Sequence, residues 1–156
     1  NIEYQPIYER SLSRQNKFTL LRKLKRRIVT FVEKRFSADI RFLTNAKQQL
    51  VIEDYDKAWE FILNSKPSTD MAIPGAFVNW DNTPRRGQTG SVIKGATPEK
   101  FCKYLTRQIK RAKEVYKKDM IFIFAWNEWA EGGHLEPDER NKYGYLEAVK
   151  QALENS

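Results

Sequence analysis

The sequence predicts an α/β fold, the C-terminal part of a (β/α)8 TIM-type barrel with about three strands and flanking helices. Two observations carry this. Apolar strand-like runs alternate with helical stripes in the order strand, long loop, helix, strand, long loop, helix. Polar and aromatic residues crowd just after each strand-like run, where the loops of such barrels build their active sites. A third observation sets the extent: a complete barrel takes about 250 residues, and this chain has 156. Residues 1–156 are therefore expected to be one segment of a catalytic domain. The same reading expects a basic helical insertion at about 12–50 and an N-terminal part of the same barrel missing upstream.

Residues 1–9 open with IEYQP, apolar and aromatic until Pro6, as at the end of a strand. From 17 to 36, Leu21, Leu24, Ile28, Phe31 and Val32 recur at helical spacing while Lys23, Arg27 and Lys34 gather opposite. Residues 37–53 read as an irregular connection with a short strand near 49–52. Asp54 is a helix N-cap, and Tyr55, Ala58, Trp59, Ile62 and Leu63 share one face until Pro67 and Ser68 break the pattern. MAIPGAFVNW at 71–80 reads as a strand whose bulged start at Pro74 and Gly75 leads into 76–80. A polar loop fills 81–96. Thr97, Pro98 and Glu99 then start a helix, because Thr caps, Pro tolerates the first turn and Glu complements the dipole. Its inward stripe is Phe101, Tyr104, Leu105, Ile109, Ala112, Val115 and Tyr116, ending at about residue 118. Residues 120–126 are apolar almost throughout, as in a strand buried on both faces of a parallel sheet. Gly144 precedes a last helix with Leu146, Val149 and Leu153 inward.

The net charge of +8 is concentrated: residues 17–36 hold eight Lys and Arg against Glu33 alone. The remainder is nearly neutral, which argues against a chain built throughout for phosphate backbones, and the basic helix lacks interleaved exposed aromatics. No nucleic-acid partner is expected. The basic face reads as an ordinary solvated face, with peripheral contact to an anionic membrane surface as the alternative; Lys25 and Arg35 would snorkel from the apolar arc. No apolar run approaches the roughly 18 residues of a membrane span. The single Cys102 excludes an intrachain disulfide and fits a reducing compartment. The expected location is cytoplasmic, with the inner face of the membrane as the variant the basic helix allows. Neither a metal nor a cofactor is expected, since His134 and Cys102 are the sole residues of their kinds.

Chemistry concentrates in WNEWAEGGHLEPD at 126–138. Strict strand alternation would point Glu128 and Glu131 to opposite faces. If the chain turns after Glu128, the spacing of three brings both carboxyls to one side, near the separation of about 5 to 5.5 Å used by two-carboxylate retaining glycosidases. Two acids in one pocket push their pKa values apart, so one stays protonated while the other is charged. A pair of solvated loop glutamates is the bland alternative. Trp80, Trp126 and Trp129 converge by topology on the same mouth, where their faces suit the C–H surface of a sugar ring. Asn127 and Asn79 suit hydroxyls or the orientation of the acids. In WDNTPRRG at 80–87, Asp81 and Asn82 suit hydroxyls, and Arg85 with Arg86 suits an anionic group. An internal ion pair of arginine with Glu131 or Glu136 competes evenly with that reading. His134 is a candidate acid, base or hydroxyl donor, and Glu136 joins the candidate binding set. The expected partner is a glycan or sugar-donor substrate.

EYQP at 3–6, PGAFVNWDNTPR at 74–85 and WNEWAEGGHLEPD at 126–138, in this order and spacing, resemble the WbsX-type glycosyltransferases of bacterial surface-polysaccharide clusters. That family in turn is similar to glycoside hydrolase family 99, the endo-acting α-mannosidases, whose (β/α)8 barrel carries an NEWHEG segment. The resemblance implies that Glu131 is the general acid/base and that Glu128 assists attack by the substrate's own 2-hydroxyl. Ala130 departs from the hydrolase pattern, which has His at that place. The expected function is thus a glycosyltransferase of surface-polysaccharide assembly, O-antigen or capsule. The alternatives are a retaining endo-acting hydrolase of mannose-type polymers and a non-catalytic, glycan-binding barrel fragment.

Overall fold

The computed structural model describes residues 1–6 and 50–156. The basic helix expected at 17–36, and with it nearly all of the insertion expected at 12–50, lies outside the described residues. In chain order the elements are β1 (Val51–Asp54), α1 (Tyr55–Asn64), β2 (Gly75–Phe77), β3 (Trp80–Asp81), α2 (Thr83–Arg86), β4 (Ser91–Lys94), α3 (Pro98–Glu114), β5 (Phe122–Phe124), β6 (Asn127–Glu128), β7 (Gly133–His134) and α4 (Gly144–Glu154). Turns of 3-10 helix occupy Gly87–Thr89 and Trp129–Glu131.

The helix starts follow from their caps. Asp54 Oδ1 accepts from the Lys57 amide at 3.0 Å, and Thr97 Oγ1 from the Lys100 amide at 3.3 Å. All five apolar residues expected on the inner face of α1 are buried. On α3 the stripe holds from Phe101 to Ala112, but Val115 is exposed because the regular helix ends at Glu114. These faces meet in an aromatic core. Trp59 stacks on Phe77 at 5.3 Å and on Tyr104 at 5.6 Å, with Tyr55 edge-on to both rings. Full burial of each apolar side chain of this size contributes about 1.5–3 kcal/mol.

Several polar groups inside this core are paired, although the buried indole N–H of Trp59 has no hydrogen-bond partner among the described residues. Gln108, fully buried, donates its amide to the Gly75 carbonyl at 2.9 Å. Arg111 donates to the carbonyls of Ile62 and Ser65 at 3.1 and 2.6 Å and to Gln108 Oε1 at 2.7 Å, joining the Ser65 amide on the Ile62 carbonyl and so tying down the end of α1. Tyr104 donates its hydroxyl to Asp56 at 2.6 Å, and burial, then the Asp56 carboxylate, pushes its pKa up to about 12.

Strands β2 and β5 run parallel, with Gly75, Ala76 and Phe77 opposite Phe122, Ile123 and Phe124. Just before β2, Ile73 bridges in parallel to Ile2, so the opening segment lies on the far side of the same chain stretch. The other sheets are β1-β4-β3, in which β4 runs parallel to β1 and antiparallel to β3, and the antiparallel pair β6-β7.

Four expectations need correction. The strand expected over 71–80 is split: the Val78 amide still bonds to the Phe124 carbonyl at 3.2 Å, but Trp80 then turns away to pair with Ile93. The loop expected over 81–96 contains a one-turn helix and strand β4, whose SVIK is too short to stand out beside its polar flanks. The strand expected at 120–126 is not buried on both faces. Phe124 is covered by Tyr4, Trp80 and Gly133, whereas Phe122, two residues earlier on the same side, is exposed, as is Met120. The last helix keeps its expected facing only in part: Val149 packs partly buried against the core, but Tyr145, Ala148 and Ala152 are the buried residues and Leu153 is exposed. Small alanines let α4 lie close against α3, and Tyr145 seats its ring edge-on to Phe101 at 5.8 Å.

Candidate functional site

The chain leaving β5 folds back on itself within a few residues. Asn127 and Glu128 pair with His134 and Gly133, and the Leu135 amide bonds to the Trp126 carbonyl at 2.9 Å. Between the two short strands, the 3-10 turn Trp129–Glu131 closes through the Gly132 amide on the Trp129 carbonyl at 3.1 Å. Gly132 has φ +65°, a left-handed backbone that favours glycine. Glu128 and Glu131 therefore stand at the two ends of one tight turn, both half-buried, instead of alternating along a strand.

The second rim segment meets this turn directly. Asp81 packs against Gly132, so that a Cβ at Gly132 would lie 3.2 Å from the Asp81 amide nitrogen. Asp81 Oδ1 accepts from the amide and hydroxyl of Thr83 at 2.9 and 2.6 Å, which starts α2 and aims Arg85 back across the gap. Arg85 Nη1 reaches Glu131 Oε1 at 2.7 Å, with the arginine 58% exposed and the glutamate 18%. The internal pairing weighed for this arginine is thus the one present. Arg86 lies exposed on the same turn.

The aromatic residues divide. Trp126 and Trp129 are each more than half exposed on the rim. Trp129 lies flat on the His134 ring, centroids 3.8 Å apart, and its indole N–H donates to Glu136 Oε2 at 2.7 Å. One face of the indole is thereby held from behind and its edge is fixed, leaving a presented surface of the kind sugars stack on. Trp80 is buried beneath, packed on Phe124 at 5.6 Å, with its indole N–H on Ser91 Oγ at 3.0 Å. Asn82 is buried too and its Oδ1 accepts from the Ser91 amide at 2.8 Å. Trp80 and Asn82 are placed as supports of the rim and not as surfaces a ligand would meet. Asn127 is exposed beside Trp126, and Asn79 lies close to Gly132.

His134 Nε2 lies 3.2 Å from Asp138 Oδ2, and Asp138 also accepts from the side chain of Asn141 at 2.9 Å and from its backbone amide. Burial, the largest single influence on the Asp138 carboxyl, opposes its ionisation. The hydrogen bonds from Asn141, His134 and the Arg140 backbone together outweigh it and hold the carboxyl below its usual range. A carboxyl depressed in the folded state contributes stability that is full above its unfolded pKa and is lost as pH falls through the folded one. Hydrogen exchange at the Asn141 amide, taken relative to its intrinsic rate at each pH, should therefore be slow at neutral pH and accelerate below about pH 4. In Asp138→Asn it should be faster at neutral pH and lose that acid dependence.

One residue of the neighbourhood escaped the sequence reading. Tyr4 sets its ring edge-on to Phe124 at 5.3 Å, and its hydroxyl is raised above the usual tyrosine pKa by burial, then by the charges of Glu131 and Glu128. The available signal was its place in EYQP between two residues, Glu3 and Gln5, that alternation sends inward.

Two clefts, about 560 and 360 Å³, lie away from the glutamates. The first is lined by Ile52, Asp54, Lys57 and Lys94 among others, the second by residues including Pro98, Arg140 and Gly144. Neither joins paired acids to exposed aromatic faces, so the open rim is the better candidate. Among the described residues no group of three or more His, Cys, Asp or Glu could hold a metal ion, and no helix is long and apolar enough to cross a membrane.

The sequence model of the family described as "Glycosyltransferase WbsX" matches residues 3–149. Two relatives, each described as "Uncharacterized protein WxcX" and coming from two strains of Xanthomonas campestris pv. campestris, are 38% identical over 117 residues. The match covers 69% of this chain but 17% of each relative, so this chain spans a small part of their length. No solved structure matches the chain.

Proposed function

This chain belongs to the glycosyltransferase WbsX family, and from that premise we propose that it forms the acid-bearing part of a glycosyltransferase of bacterial surface-polysaccharide assembly. The observation that carries the reading is the tight turn holding Glu128 and Glu131, with Arg85 on Glu131 and the presented face of Trp129 alongside. In this proposal Trp126 and Trp129 seat sugar rings, and Asn127 and the free edge of Asp81 meet hydroxyls. Arg85 and Arg86 face the anionic end of a donor. Trp80 and Asn82 act from beneath, and His134, Glu136 and Asp138 fix the platform.

The proposed chemistry needs Glu131 to carry a proton and Glu128 to be charged when substrate is bound, which requires Arg85 to turn from Glu131 to the anionic end of the donor. Glu128 takes the proton of the sugar's 2-hydroxyl as that oxygen bonds to the anomeric carbon and the bond to the leaving oxygen breaks; Glu131 donates a proton to that oxygen. Glu131 then takes a proton from the acceptor hydroxyl as it attacks the anomeric carbon, the strained ring opens, and Glu128 returns its proton to the 2-hydroxyl. Water in place of the acceptor would give hydrolysis by the same residues.

The parallel order of Ile2 and Ile73, then β2 and β5, with α3 and α4 following the strands, supports an arc of a (β/α)8 barrel. We propose that the remainder of a longer protein closes it. The test uses that full-length protein with a panel of nucleotide sugars and acceptors, then with oligomannosides alone. Nucleotide release with glycan extension is the expected result. Shortened oligomannoside without a donor would replace transfer by hydrolysis, and glycan binding without turnover in either assay would reduce the site to a binding surface.

A further inference from the structure

The return arm of the glutamate turn carries a carboxylate that the proposed chemistry does not use. Glu136 follows β7, and its amide donates to the Trp126 carbonyl at 3.1 Å beside that of Leu135 at 2.9 Å, so its backbone is tied to the exit of β5. Pro137 comes next and favours extended backbone at Glu136. From this anchored position Glu136 Oε2 accepts the indole N–H of Trp129 at 2.7 Å. The two oxygens of a carboxylate share one carbon, so the same bond holds Oε1 near the edge of the indole. Oε1 has no partner among the described residues, and Glu136 makes no ion pair among them. His134, itself bonded to Asp138, covers one face of the Trp129 ring at 3.8 Å, and Trp129 as a whole is 51% exposed.

We infer that Glu136 selects a neutral sugar, its Oε1 accepting a hydroxyl of the ring that stacks on Trp129 while its charge turns away sugars that carry a carboxylate. The inference rests on the proposed function, whose stacking face it uses. A sugar laid flat on an aromatic ring puts its C–H groups on the face and sends its hydroxyls outward around the rim. An acceptor pinned at the indole edge stands where those hydroxyls emerge. A carboxylate oxygen only accepts, and a hydrogen bond to a charged acceptor is about twice as strong as a neutral one, so a hydroxyl there is favoured. A uronic acid stacked on the same face would instead bring like charge to a carboxylate with no cation paired to it, because Arg85 is engaged by Glu131.

The test uses the full-length protein with matched neutral and uronic-acid oligosaccharides of gluco, galacto and manno configuration, binding being followed by titration calorimetry. A neutral member of the panel should bind at least about tenfold more tightly than its uronic counterpart, the size expected of one hydrogen bond to a charged group gained or lost. Glu136→Gln keeps an oxygen for the Trp129 indole and replaces the other by an amide donor. It should weaken the neutral ligand roughly tenfold and leave the uronic one no weaker, so the gap between them closes. A residue that merely props Trp129 would weaken both ligands alike, and a gap of unchanged size in Glu136→Gln overturns the inference. So does a uronic acid bound as tightly as its neutral partner by the wild type, or a panel in which no neutral member binds. Selective binding without nucleotide release in any assay withdraws transfer and leaves Glu136 its role. Nucleotide release that is lost in Glu131→Gln, beside an unchanged gap in Glu136→Gln, withdraws this inference alone.

Discussion

Glu131→Gln and Glu128→Gln in the full-length protein are each expected to lower turnover at least about 100-fold, the ordinary cost of losing acid or base assistance, while the melting temperature stays nearly unchanged. The separation of the two effects comes from the geometry. Glutamine matches glutamate in shape and its Oε1 still accepts from Arg85, so the 2.7 Å contact survives without its charge. Arg85 is 58% exposed, and an ion pair with one partner in solvent contributes about 0–1 kcal/mol. The fold therefore loses little. In the proposed reaction, Glu131→Gln loses the group that moves a proton at the leaving oxygen and again at the acceptor, and Glu128→Gln loses the base on the 2-hydroxyl. Because both acids serve one sequence of steps, the double variant should be scarcely slower than either single one. Initial rates of nucleotide release, read beside a thermal melt of the same samples, check both halves. Wild-type rates in both single variants would sink the catalytic assignment, whereas low rates with a collapsed melt would mean the acids support the turn and do no chemistry.

How much of this was legible in the sequence depended on whether the signal was local. Asp54 and Thr97 cap helices because a side-chain oxygen three residues from an amide is a local fact, and both starts were readable. The turn after Glu128 was readable as a condition, since Gly132 supplies the left-handed residue that a reversal there needs. Facing was readable only where large apolar residues set it. On α1 they do, whereas on α4 the close approach to α3 is made by Ala148 and Ala152, which carry little weight in a periodicity count, so Leu153 was assigned inward and lies outside. Residues 71–80 were readable as strand-forming but not as two strands, because the departure of Trp80 depends on Ile93, thirteen positions on. The same long-range event buries Trp80 and Asn82 beneath the rim. Tyr4 was hidden for the complementary reason: Phe124, which its ring meets, lies 120 positions on, and nothing in EYQP names that partner.

Gly75→Ala should be the most damaging single methyl in this part of the chain. A Cβ at that position would overlap the backbone carbonyl oxygen of Glu3, with the Glu3 carbonyl carbon 3.1 Å away. Elsewhere, exchanging glycine for alanine is mildly stabilising through the unfolded chain, by about 0.4–1 kcal/mol, and Gly75 has no left-handed φ to forbid it. The sign is decided by what the methyl meets. A flexible side-chain end could swing aside, but Glu3 is held by Ile73, Ser68 and Tyr116, so relief requires moving either strand β2 or the whole opening segment. Overpacking of this kind costs about 1–3 kcal/mol and more where backbone must shift. Moving β2 would also strain the Gly75 carbonyl from Gln108, and through it Arg111 at the end of α1. Departure of residues 1–6 is the cheaper route. Hydrogen exchange should then show loss of protection at the Glu3 amide while the Phe101 amide, inside α3, stays protected, with melting lowered by about 5–10 °C. Phe124 would then lose the ring of Tyr4 at its edge while the glutamates keep their turn. A variant that melts like wild type with a protected Glu3 amide would show that the two backbones can separate without cost.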